Sequence, residues 1–139
     1  MTESDTTDGR VEATDVVQLS VPADTAYVSV MRTVTASLAA RRDFTIEEID
    51  DLRIAVDEAS ALLLPLSGER AALTAAFAGA VDELEVRVAV DGVSGESDGI
   101  DETSFAWMVL AALADEVRTE QADGELSLTL VKKRAPRDR

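Results

Sequence analysis

The sequence predicts an α+β fold, a two-layer sandwich in which three helices cover one face of a mainly antiparallel sheet, in the order β-α-α-β-β-α-β-β. Three observations lead there. VVQLSV (16–21) and LEVRVAV (84–90) alternate apolar and polar side chains, so each buries one face of an extended strand. Two intervening segments change to the three-and-four spacing of amphipathic helices. Asp123-Gly124 lies between two short extended runs and has the residue types that a two-residue hairpin turn requires.

Taken in order, residues 1–15 (MTESDTTDGRVEATD) read as a disordered acidic leader, 16–133 as the domain and 134–139 as a basic tail. In the first strand Val17, Leu19 and Val21 share a side, and Pro22 ends it. From Asp24 on, Tyr27, Val30, Met31, Val34, Leu38 and Arg41 form one helical stripe. Asp24 or Thr25 is available as its cap, and Arg41 and Arg42 complement the C-terminal dipole. A second helix starts at Thr45, where Thr45 and Glu48 fit a capping box. Ile49, Leu52, Val56, Ala59 and Leu63 are its core stripe, and Pro65 and Gly68 close it. RAALTAAFAG (70–79) and LEVRVAV then read as strands joined by a turn around Asp82. Beyond an acidic loop, DGVSGESDGIDE (91–102), SFAWMVLAALADEV (104–117) reads as an apolar helix with Thr103 as cap and Phe105 and Trp107 in the core. VRTEQ (117–121) and ELSLTLV (125–131) finish the sheet as a hairpin, and KKRAPRDR reads as a frayed tail beyond it.

Composition narrows the chemistry. Apolar residues make up 46% of the chain, too many for disorder, and no run reaches the roughly 18 apolar residues of a membrane helix. The leader has no apolar h-region, so no secretion signal is read and a cytoplasmic location is expected. Absence of Cys and His excludes disulfides, thiolate nucleophiles, Ser-His-Asp triads and nearly every zinc site. A formal net charge of −15 disfavours direct contact with nucleic acid or an anionic membrane and favours a basic protein partner where charge takes part. The loop from Asp91 to Glu102 has the length of a calcium loop, but Val93 and Gly95 stand where oxygens are needed and Glu96 where the turn glycine is, so no metal is expected.

RIAVDEASALLLP (53–65) holds the most informative pattern, because Asp57 and Glu58 interrupt an otherwise apolar run. Asp57 reads as a solvated acid. On a helical wheel Glu58 lies opposite the core stripe, yet its neighbours one turn away are Ile54 and Leu62. A helix apolar on two faces is covered on both, or lines a pocket or an interface.

These residues resemble a known family. DLRIAVDEASALLL is similar to the N-box helix of the GHKL (Bergerat) ATPase fold, in the form found in serine-kinase anti-sigma factors of the RsbW and SpoIIAB kind. SFAWMVLAALADEV resembles their last core helix. The likeness covers residues 16–131 in the same element order and is nearest the actinobacterial UsfX-like branch. It implies that Glu58 matches a general base acting on a serine hydroxyl. Leu62 replaces the asparagine that binds the magnesium of ATP. Asp91 matches an adenine-reading aspartate and Gly95 a glycine of the loop after it, with Val93 in place of another. Where the family approaches the phosphates with glycines, this chain has Ser104, Phe105, Ala106 and Trp107, and five acids but no Lys or Arg lie between Asp91 and Glu102. The expectation is therefore no bound cofactor, neither ATP nor magnesium, with Glu58, Asp91 and Gly95 vestigial.

For function, the resemblance implies an anti-sigma factor that sequesters a stress- or development-type sigma factor and is released by an anti-anti-sigma partner with a STAS fold. Arg32 matches a sigma-contacting position on the first helix, and Ser29 and Thr33 share its polar face. The resemblance also implies a homodimer, for which the polar outer face of the sheet offers a surface. Two alternatives stay open: an active serine-protein kinase phosphorylating the STAS partner, and a degenerate scaffold with some other protein partner.

Overall fold

The structure is a computed structural model that describes residues 15–136, so nearly all of the expected leader and residues 137–139 of the expected tail lie outside the described residues. The elements are β1 (Val17–Pro22), α1 (Val28–Arg41), α2 (Ile46–Leu63), β2 (Ala72–Ala78), β3 (Glu83–Val90), α3 (Phe105–Leu113), β4 (Glu116–Ala122) and β5 (Glu125–Lys133), the predicted order. The strands form one sheet, β1-β2-β3-β5-β4, and every neighbouring pair is antiparallel.

Alternation sets the register. Leu73, Ala75 and Phe77 of β2 stand opposite Val90, Val88 and Val86 of β3, which in turn face Leu126, Leu128 and Leu130 of β5. All nine are buried, and they form one dry face. A slip of one residue would turn this whole set to solvent. The three helices cover that face, with Met31 and Ala39 of α1, Leu52, Val56, Ala59 and Leu63 of α2, and Leu110 of α3 in the same cluster. Each fully buried Leu, Val or Phe contributes about 1.5–3 kcal/mol. Asp123 and Gly124 turn β4 into β5 with φ of 55° and 78°, the paired positive values of a type I′ hairpin.

Several local expectations are corrected. A single 3₁₀ turn, Thr25–Tyr27, precedes α1, and Asp24 caps that turn by accepting from the Ala26 N–H. The buried stripe of α1 is Met31, Thr35 and Ala39, whereas Tyr27 and Val30 are exposed. Thr35 is tolerated inside because its hydroxyl donates to the Met31 carbonyl at 2.7 Å. α3 stops at Leu113, four residues early. The Asp115 N–H bonds the Val131 carbonyl and Val117 pairs with Leu130, so strand pairing with β5 takes over the segment expected to be helical. Its cap is Ser104, not Thr103, whose hydroxyl and N–H are held by Asp101. Phe105 is exposed, not core, while Trp107 is half-buried against the core.

The expected capping box is present and has a second use. Glu48 Oε1 accepts from the Thr45 N–H, and its Oε2 accepts from the Ala135 N–H at 2.8 Å. Lys132 Nζ donates to the Leu113 carbonyl at 2.9 Å and meets Asp51, and Arg134 donates to the Arg42 carbonyl at 2.8 Å. Residues 132–135 thus strap α2 and the end of α1 to β5, where fraying was expected. Burial pushes the Glu48 pKa up, but the Ala135 and Thr45 hydrogen bonds outweigh it and the net shift is downward.

Replacing Glu48 by Ala removes two charge-assisted bonds and should destabilise the fold by about 1–2 kcal/mol in denaturant unfolding. Because the folded pKa is depressed, this contribution is present above the ordinary value of 4.5 and disappears as pH falls through the lower folded value. The gap between wild type and Glu48→Ala should therefore narrow in acid; a constant gap would show that the ionised carboxylate is not what holds the strap.

Candidate functional site

Successive helical residues point about 100° apart, so seating the α2 stripe of Leu52, Val56, Ala59 and Leu63 on the sheet sends Asp57 and Glu58 to different sides of the helix. Asp57 faces α1. Its Oδ1 lies 3.0 Å from Arg32 Nε, and the two side chains are 39% and 38% exposed. The N–H is not aimed at the oxygen, and both atoms are buried without a hydrogen-bond partner. The attraction is Coulombic and leaves donor and acceptor capacity unused. Burial pushes the Asp57 pKa up, against the pull of Arg32 and Arg53.

Around this pair runs a hollow between α1 and α2. Ser29, Arg32, Thr33, Ala36 and Arg53 line one part of it, and Arg32, Asp50, Arg53, Ile54 and Asp57 the other. The three residues singled out on the first helix thus gather at one place. The Thr33 hydroxyl donates to the Ser29 carbonyl at 3.0 Å, and Ser29 is exposed. Asp57 and Arg53 are the members that the sequence reading did not place here: Asp57 is not merely solvated. Their signal was a charge on each of two neighbouring helices, which identifies a pair only once the helix packing is known.

Glu58 faces the other way. Lys132 Nζ reaches both Asp51 and the Leu113 carbonyl, which puts α3 on the Asp51 side of α2. Glu58 is seven residues further on, hence on nearly the same side. It is half-buried and has no hydrogen bond or ion pair to a described residue, and Leu62, one turn on, is half-buried against the core.

Asp91 closes β3, and its Oδ1 accepts from the Ala72 N–H at 3.0 Å, fastening the start of β2. Gly68 donates to the Asp91 carbonyl at 3.0 Å, and Gly92, at φ 69°, lies so close that a Cβ on it would sit 2.9 Å from Gly68 Cα. Val93 is buried in the core, with its N–H on the Gly124 carbonyl at 2.9 Å. Gly95 sits in an exposed loop, and a Cβ there would meet open space. Among the described residues no three carboxylates gather to hold a metal ion.

No family model matches the chain. Curated relatives do. The anti-sigma-F factor RsbW of Mycobacterium tuberculosis is 30% identical over 147 aligned positions, which take in 100% of this chain and 86% of the relative. The serine-protein kinase RsbW of Bacillus subtilis is 28% identical over 129 positions, 79% of this chain and 81% of the relative. The serine-protein kinase RsbW of Listeria monocytogenes is 37% identical over 83 positions, 58% of this chain and 53% of the relative. A two-layer sandwich with this element order, matched along its whole length by the Mycobacterium tuberculosis relative at 30% identity, places the chain in the RsbW family.

Proposed function

We propose that the chain is an anti-sigma factor that grips its sigma factor through the α1–α2 hollow centred on Arg32, and that it works without a competent ATP-magnesium site. The observation that carries the first part is the state of the Arg32 guanidinium. Asp57 holds its buried Nε by charge, at 3.0 Å but out of hydrogen-bond alignment. No described residue accepts a hydrogen bond from its terminal nitrogens, so on a side chain 38% exposed those donors remain available to a partner's carboxylate or carbonyl oxygens. Ser29 and Thr33 flank it on the same hollow. An anti-anti-sigma partner with a STAS fold would release the sigma factor by competing for overlapping surface. A homodimer would use the polar outer face of the sheet, where Arg87 pairs with Glu125 at 2.7 Å and Arg118 with Glu85 at 3.6 Å.

Support for the second part comes from the residues at the nucleotide positions. Leu62 has no oxygen for a hard cation, Asp91 is engaged by the Ala72 N–H, and Val93 fills core space instead of opening a backbone approach. Bulky Phe105 and Trp107 open α3 where glycines would let N–H groups near a phosphate. Relatives named serine-protein kinase favour the second reading, an active kinase with Glu58 as base.

Arg32→Glu should weaken capture of the cognate sigma factor, co-expressed and measured by calorimetry, by about 30-fold or more, the effect of losing an interface arginine anchor. Stability should change by no more than about 1 kcal/mol, because the pair it breaks is partly exposed. Undiminished capture would remove α1 from the interface. Kinase activity offers a separate check: incubated with ATP, magnesium and the STAS partner, the chain should transfer no phosphate, and transfer abolished by Glu58→Gln would establish the second reading. The Arg32–Asp57 coupling has its own signature. In carboxyl-carbon NMR, Asp57 should titrate above the ordinary 3.8, and Arg32→Ala should raise it further by removing a charge that lowers it. Ionising a carboxyl with a raised folded pKa costs stability as pH rises through that pKa, so Asp57→Asn should leave neutral-pH stability equal or higher.

A further inference from the structure

We propose that the exposed face of α3 is a docking surface for a basic amphipathic helix of a partner protein, separate from the hollow around Arg32 and not dependent on it. α3 reads FAWMVLAAL, nine residues whose only polar side-chain group is the Trp107 indole N–H. Such a helix is ordinarily covered all round. Here only Leu110 is fully buried, while Phe105 is 76% and Met108 62% exposed, with Ala111 and Ala112 also in solvent. On the helical wheel Phe105, Met108 and Ala112 fall within about 60° of one another, a single apolar stripe about 11 Å long.

Charge identifies the occupant. Asp98, Asp101 and Glu102 stand before the stripe, Asp115 and Glu116 after it, and Glu58 of α2 lies on the α3 side. Of the nearby cations, Lys132 is engaged by Asp51 and the Leu113 carbonyl and Arg118 by Glu85 and Glu116, which leaves Lys133, whose N–H bonds Asp115, against the six acids. Glu58, Asp98 and Glu102 make no ion pair with a described residue, so the rim stays negative. A second copy would bring the same acids and the same net charge of −15 to the contact, and an anionic lipid surface would be repelled likewise. The complement is a helix of about three turns with apolar residues at three-and-four spacing and Lys or Arg at both ends.

The test uses a fluorescein-labelled leucine–lysine peptide of about 16 residues in that pattern, followed by anisotropy at physiological salt. Its leucine–glutamate counterpart is the control. Trp107, the sole tryptophan, lies half-buried in α3 and reports whether binding occurs there. Saturable binding of the lysine peptide is expected, with a shift of Trp107 emission and no binding of the glutamate peptide. The double variant Phe105→Ser with Met108→Ser should weaken binding at least about tenfold, equivalent to about 1.4 kcal/mol. Both side chains are exposed, so its thermal unfolding should match wild type; if it does not, Glu102→Lys, which only reverses rim charge, should still weaken binding severalfold. Equal affinity for wild type and variants would mean attraction to a negative chain at large and would overturn the proposal. Absence of saturable binding, or concentration-dependent self-association lost in the double variant, would overturn it too, the latter by assigning the face to a second copy.

Discussion

The burial of one stripe of α2, Leu52, Val56, Ala59 and Leu63, against the dry face of the sheet fixes the direction of every other side chain on that helix. Truncating one of these leucines would cost about 2–5 kcal/mol, far more than any polar contact around it, so the polar side chains take the directions that the stripe leaves. Asp57 is turned towards α1, where it meets Arg32, and Glu58 towards α3, where no described residue hydrogen-bonds or ion-pairs with it. Two neighbouring carboxylates therefore belong to different surfaces. The same seating keeps the hollow around Arg32 and Asp57 apart from the side of α2 that carries Glu58.

The ends of α2 hold that seating in place. At its start, Glu48 joins the cap to Ala135, and Asp51 meets Lys132, so the last strand and the first two turns of α2 are one unit. At its end, Gly68 and Gly92 pack backbone to backbone, and Asp91 ties β2 to β3. Val93 then enters the core beside the Asp123-Gly124 turn. The loop after Asp91 therefore begins as part of the packing. α3, short and apolar, follows from the same arrangement, because β4 takes the residues after Leu113 for the sheet.

Much of the fold was legible in the sequence because period-two and period-3.6 patterns record which side is dry, and a capping box or an Asp-Gly turn has few alternative uses. β3, β5, α2 and the hairpin all follow from such signals. The misreadings have a common origin in partners distant along the chain. The frayed tail, the helix that ended early and the solvated Asp57 each depended on a contact with β5, Glu48 or Arg32 that no local pattern encodes. Tyr27, Val30 and Phe105 were placed inside on hydrophobicity, but the neighbours that would cover them are absent from the described residues. At the site, helix spacing put Ser29, Arg32 and Thr33 on one face, whereas the opposing Asp57 and Arg53 needed the α1–α2 packing to be seen.

The central claim, that α2 presents Asp57 as the carboxylate that readies Arg32 for a partner, is tested most directly by a double-mutant cycle of Arg32→Ala and Asp57→Asn, read as the change in sigma-factor affinity. The account predicts coupling: losing Arg32 should matter less once Asp57 no longer holds it, with an interaction energy of about 0.5 kcal/mol or more. Strictly additive effects of the two substitutions would contradict it.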